Sequence, residues 1–170
     1  MKLMDMFVAQ LDAEARRTRR ALEHAPEGRD DWKPHDKSMP LGRLVMLVAG
    51  MPDWFTMMIN QDELDLSPPG GGSNYTPPPM GTKAERLQAL DAGVAKARAA
   101  LAGTTEEHLM KPWRLLVAGK VVSEDPRHVV VRDTFMHLAH HRGQLTVYLR
   151  LAGASVPAIY GPSADDTRFD

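Results

Sequence analysis

The chain of 170 residues contains no cysteine. It therefore has no disulfide and no thiolate chemistry of its own, and any metal must be held by imidazole, carboxylate or water. Excess charge is missing too, since 21 Lys and Arg face 22 Asp and Glu for a formal net charge of -1. The bases are scattered or sit opposite acids, so no face could neutralise a row of phosphates, and nucleic acid is not an expected partner. Long apolar runs are absent. The start of the chain carries Lys2 and Asp5, which reads as neither a signal peptide nor a membrane span, so no membrane partner is expected and the expected compartment is the cytoplasm. What remains is an ordinary globular balance, 43% apolar and 25% charged, with length for one core, and residues 1–170 read as a single domain.

Helical periodicity dominates. From Lys2 to Glu23, residues Leu3, Phe7, Leu11, Thr18 and Leu22 fall on one side, and Arg16, Arg17, Arg19 and Arg20, interleaved with Asp12 and Glu14, read as a solvated face. After a polar connection over 28–40, the stretch Leu41 to Asn60 is apolar almost all the way round, as in a helix inside a bundle. Pro52 should kink it, and Met46, Met51, Met57 and Met58 read as adaptable core filler. Asp65 to Gly81 holds three consecutive glycines and Pro77 to Pro79, so it reads as a long crossover loop. The glycines lack the lysine and hydroxyl of a phosphate loop, so no nucleotide cofactor is expected. Asn74-Tyr75-Thr76 spells a glycosylation acceptor that a cytoplasmic chain would not use.

Thr82 with Glu85 forms a capping box opening a third helix that Gly103 ends. Thr104 with Glu107 repeats the pattern over a short turn, and Leu115 to Val122 around Ala118-Gly119 reads as a possible hairpin. Asp125-Pro126 reads as the N-cap and first turn of the longest helix, running to about Ala152. The fold class is thus all-α, a four-helix bundle with a long crossover loop and a possible small hairpin before the last helix.

At about 100° per residue, His137 and His141 point within about 40° of each other on a stripe shared with Thr134, Leu138, Leu145 and Tyr148. Both imidazoles are expected to face inward, with His140 at the edge of the stripe and Arg132, Arg142 and Arg150 on the solvent side. Two histidines at i and i+4 suit either chelation of a divalent ion or a hydrogen-bonded polar network. His24, His35, His108 and His128 read as ordinary polar positions near helix ends and loops, and Trp32, Trp54 and Trp113 as packing.

The run from His137 through His140-His141-Arg142-Gly143-Gln144 to Gly153, followed by Val156-Pro157 and Tyr160-Gly161-Pro162-Ser163, resembles the C-terminal signature of the DinB/YfiT-like metalloenzyme family. Similarity extends through Trp32-Lys33-Pro34, Ser38 to Leu44, Pro52 to Trp54 and Lys111-Pro112-Trp113. The resemblance implies a four-helix bundle and a divalent metal, often nickel or zinc, held by one histidine of the second helix and two of the fourth. The latter correspond to His137 and His141, whereas the second-helix position is Leu47, which cannot bind a metal. A replacement donor could come from Asp53 after rearrangement, or from Asp165, Asp166 or Asp170. Two readings follow. One is a metal-free module that binds a small apolar or amphipathic molecule in an interhelical pocket, with the histidines hydrogen-bonded to Tyr148. The other is a divalent-metal-dependent thiol transferase, isomerase or hydrolase with His137 and His141 as ligands and no assignable catalytic base. The resemblance also implies a homodimer, for which the apolar second helix offers a surface.

Overall fold

In the computed structural model, which describes residues 2–68 and 79–169, the chain runs α1 (Leu3–Glu23), α2 (Leu41–Gly50), α3 (Pro52–Asn60), β1 (Glu63–Asp65), α4 (Lys83–Gly103), α5 (Glu106–Met110), β2 (Pro112–Val117), β3 (Lys120–Pro126) and α6 (Arg127–Leu151). Helices α1, α4, α6 and the α2–α3 pair pack against one another. The triglycine and the Asn74-Tyr75-Thr76 sequon lie outside the described residues, as does Asp170. No helix is long and apolar enough to cross a membrane among the described residues.

Pro52 does more than kink the second apolar stretch. Its missing N–H and its ring end α2 at Gly50, and Pro52 becomes the first residue of α3, where a proline donor is not needed. The box at the head of α4 forms as expected, with Thr82 Oγ1 accepting from Glu85 N and Glu85 Oε2 accepting from Thr82 N at 2.7 Å. Two caps fall one residue later than the spacing suggested. Thr105, not Thr104, accepts from His108 N at 3.1 Å and opens α5. Pro126, not Asp125, is the N-cap of α6, because Asp125 is held in the strand ladder opposite Trp113.

The fold is mostly helical but not all-α, because a three-stranded sheet in the order β1-β2-β3 lies before α6. The β2–β3 hairpin turns through Ala118 (φ 52°) and Gly119 (φ 75°), the pair of positive φ values of a tight type I′ turn. The third strand has no signal of its own. β1 has only three residues and pairs parallel to β2, Glu63 with Arg114 and Asp65 with Leu116. Asp65 fastens it by accepting from Ala118 N at 3.1 Å and Gly119 N at 2.8 Å. Such a contact links residues about fifty positions apart, which no local period announces.

The core has two lobes. Leu22, Leu41, Leu44, Val48, Leu90, Leu145 and Leu149 form one, and Phe7, Leu11, Phe55, Leu101, Val131 and Phe135 the other. Phe55 and Phe135 lie 4.4 Å apart between ring centroids. Three arginines are buried, and two of them, Arg127 and Arg142, tie several elements together. Arg127, at the head of α6, donates to Met58 O (3.1 Å) and Gln61 O (3.1 Å) at the end of α3, donates to Pro112 O (2.8 Å) at the start of β2, and pairs with Asp62. It thereby occupies carbonyls that the last turn of α3 leaves open.

The second buried arginine overturns two expectations. Arg142 and Glu14, both read as solvent-facing, are almost fully buried and form an ion pair at 2.5 Å. Arg142 also donates to Thr18 Oγ1 at 3.1 Å and to Tyr160, whose hydroxyl donates to Glu14 Oε2 at 3.0 Å. Arg17 closes the group from outside, 2.7 Å from Glu14 and 4.5 Å over the Tyr160 ring. The C-terminal segment is thus anchored across α1 and α6 by a closed polar node. Burial is the leading influence on the Tyr160 hydroxyl and pushes its pKa up.

Candidate functional site

The buried stripe of α6 runs through Val131, Phe135, Leu138, Arg142, Leu145 and Leu149. Its centre is turned by about 100° from the mean direction of His137 and His141, so these histidines do not face the interior. His137 is exposed and His141 partly so, on the shoulder of the helix. The His137 ring meets Trp54 of α3 edge-on, 5.6 Å between centroids.

The two imidazoles converge, with His137 Nε2 2.8 Å from His141 Nε2. His141 Nδ1 is 2.8 Å from Gln144 Oε1, and Gln144 Nε2 is 3.0 Å from His140 Nε2. With His141 protonated at Nδ1, Gln144 Oε1 accepts from it, His141 Nε2 accepts from His137 Nε2–H and the Gln144 amide donates to His140 Nε2. Partial burial of its ring, followed by His141 and His140, holds the His137 pKa below the ordinary imidazole value and favours its neutral form.

The other donors proposed for this point are engaged elsewhere. Asp53 pairs with Lys96 at 3.7 Å on the surface. Asp165 pairs with Arg150 at 2.7 Å and accepts from Val156 N, and Asp166 accepts from Ala158 N and pairs with Arg168. These contacts hold both carboxyl groups below the usual carboxylate range, led in each case by the arginine hydrogen bond. Leu47 is partly buried against the first core lobe. No cluster of three or more His, Asp or Glu side chains suited to a metal occurs among the described residues.

Tyr148 is not part of the histidine chain. Its hydroxyl donates to Met39 O at 3.0 Å, and its ring meets Trp32 edge-on. The partner that spacing could have supplied is Gln144, three residues after His141 and four after His140. The remaining histidines take structural roles, His24 with Ser155, His35 with Lys37 N, His108 with Ile59 O and His128 with Leu109 O. A depression of about 390 Å³ lies between the ends of α3 and α4, lined by Ile59, Asn60, Ala100, Thr104 and His108, away from the histidine pair.

The sequence profile of the DinB family matches residues 75–168, which includes all of α6 and the tail. The chain belongs to the DinB family. It is 57% identical over 41 residues to the uncharacterized protein YrdA of Bacillus subtilis (strain 168), a stretch covering 24% of this chain and only 25% of that relative. Two crystal structures share the fold. A DinB-like protein from Bacillus cereus ATCC 10987 superposes with a TM-score of 0.66 at 19% identity, over 91% of this chain and 95% of the other. A DinB-like protein of Bacillus subtilis, yjoa, gives 0.63 at 18%, over 88% and 94%.

Proposed function

We propose that this DinB family protein is a cytoplasmic small-molecule binding or interaction module whose two family histidines work without a resident metal, on a DinB-type four-helix bundle formed by α1, α2–α3, α4 and α6. The observation that carries the reading is the chain of hydrogen bonds from His137 through His141 and Gln144 to His140, in which the two Nε2 atoms face each other. To coordinate an ion, His137 would have to give up its Nε2 proton and both Nε2 lone pairs would have to turn to the metal. Leu47 offers no third donor, and a zinc site in an enzyme generally has three protein ligands and an open position. The residues present therefore do not fit a resident catalytic ion. The exposed imidazole edges beside the Trp54 ring suit a small amphipathic ligand with one hydrogen-bonding group.

One observation favours the metalloenzyme reading. Two cis ligands at the usual zinc–nitrogen distance are separated by about 3.0–3.4 Å, and the Nε2 pair at 2.8 Å is near that range. In that reading an outside donor completes the shell. The test is a titration of tag-free protein and of a His137→Ala, His141→Ala variant with Zn²⁺ and Ni²⁺. The proposal expects no difference between them up to ~0.1 mM ion, since intact three-ligand sites bind far more tightly. Stoichiometric binding that the variant loses would establish the metal reading instead.

A further inference from the structure

The three buried arginines differ in how they are satisfied. Arg127 and Arg142 each have several acceptors, a carboxylate among them, Asp62 for the first and Glu14 for the second. Arg86 of α4 is 1% exposed and has a single acceptor. Its Nη2 donates to Ala25 O at 2.5 Å, while Nε and Nη1 are buried with no hydrogen-bond partner. It forms no ion pair among the described residues. An arginine is almost never buried in full without a counter-charge, and a buried polar group that the chain leaves unsatisfied points to a bound ion or ligand. Burial lowers the Arg86 pKa, with Glu27 and then Asp30 acting in the opposite sense, and a guanidinium keeps its charge at neutral pH all the same.

The place beside it already holds a carboxylate. Arg86 is the fourth residue of α4 after the Thr82 cap, and a helical side chain covers the turn before its own Cα, so the guanidinium lies back under the first turn, against Ala25. At that turn Glu27 Oε1 accepts from Lys83 N at 2.6 Å, where the helix end favours negative charge. Glu27, Gly28 and Lys83 are all exposed, and Gly28 turns the connection at φ 70° with nothing within 4 Å of where a side chain would stand. An exposed anion thus reaches the helix end and stops short of the cation beneath it. We propose that the first turn of α4 and the Arg86 guanidinium form a binding site for a small carboxylate, which displaces Glu27 from Lys83 N and accepts from Arg86 through its second oxygen. A free carboxylate is not tethered to the connection after α1, so it can sit deeper than the Glu27 side chain. The Thr82–Glu85 box is untouched by the exchange, because Glu85 accepts from Thr82 N and not from Lys83 N. The site is separate from the histidine pair and does not depend on it.

The experiment is a titration of the full chain with sodium acetate up to ~100 mM at about pH 7.5, with sodium chloride lowered in step so that screening stays constant. In ¹⁵N-labelled wild type the Arg86 Nε–H resonance should shift saturably, half-way at ~10 mM as suits so small a ligand. Tm should rise by about 3–5 °C at ten times the half-saturating concentration. Glu27→Gln, which removes the competing carboxylate, should half-saturate at a several-fold lower concentration. Arg86→Met should lose the Tm response, and the wild-type Nε–H resonance reads the same contact without any substitution. The His137→Ala, His141→Ala variant should respond as wild type does. An Arg86 Nε–H resonance indifferent to acetate, a Tm rise that Arg86→Met retains, a Glu27→Gln protein that binds no better than wild type, or a response lost in the histidine variant would each overturn the proposal. None of these outcomes bears on the metal titration, so the histidine reading stands or falls separately.

Discussion

His141 and Arg142 are neighbours in the chain and opposites in the fold. Arg142 enters the core, where Glu14, Thr18 and Tyr160 accept from its guanidinium. His141 lies on the shoulder of the same helix, in a chain of hydrogen bonds that ends at the exposed His140. One turn of backbone thus carries a closed node that ties three segments together and an open node with imidazole edges to spare. A buried ion pair is weak evidence of net stability, but losing one partner is expensive because it strands the other. An exposed hydrogen-bond chain costs little to break and is free to exchange its partners for a ligand.

The largest expected effect breaks the closed node. Arg142→Met takes from the Glu14 carboxylate its buried cation and leaves it the outer Arg17 alone, and urea unfolding should register a loss of about 3 kcal/mol. Pairing it with Glu14→Leu should recover most of that loss, since two apolar side chains then occupy the space. Failure of the double variant to recover would mean that the pair also positions the tail. Tyr160→Phe, which removes the hydroxyl donating to Glu14, should cost about 1–2 kcal/mol by the same measurement.

Sequence reasoning found the helices because their apolar residues repeat, and it failed at this node because it counted charge as surface. The spacing nevertheless carries the signal. Glu14 continues the series Phe7, Leu11, Thr18, and Arg142 continues Leu138, Leu145, Leu149, so each helix carries one charge of opposite sign at a core position. Reading Arg142 as outward also rotated the presumed inner face of α6 toward His141 and Tyr148, which is why the histidines were expected inside. The hairpin was legible from Ala118-Gly119. The parallel partner β1 was not, since three residues have no measurable period and their pairing is decided by distant contacts. Of the candidate site, the convergence of His137 and His141 follows from their i, i+4 spacing and Gln144 is within reach of the same periodicity, whereas Trp54, on another helix, emerges only with the coordinates.

The open node should respond to pH. The His137 pKa is depressed in the folded protein, so its contribution to stability is fully present above the ordinary imidazole value of about 6.5 and is lost as pH falls through the folded value. Wild type should therefore lose stability more steeply between pH 7 and pH 5 than His137→Asn, in unfolding curves taken across that range. At pH 7 the same substitution should change stability by no more than about 0.5 kcal/mol, as expected of an exposed position. A further small effect lies away from both nodes. Ala118 sits at φ 52° in the hairpin turn, and Ala118→Gly should stabilise the fold by up to about 1 kcal/mol through relief of the left-handed conformation, read as a rise in Tm.

The metal-free proposal turns on Leu47, at the position to which the family resemblance assigns a histidine. Calorimetric titration of Zn²⁺ into wild type and into Leu47→His tests it most directly. The account predicts no stoichiometric binding by wild type below ~0.1 mM and stoichiometric binding orders of magnitude tighter in Leu47→His, abolished again by His137→Ala. Tight wild-type binding, or a Leu47→His protein that binds no better than wild type, would contradict it.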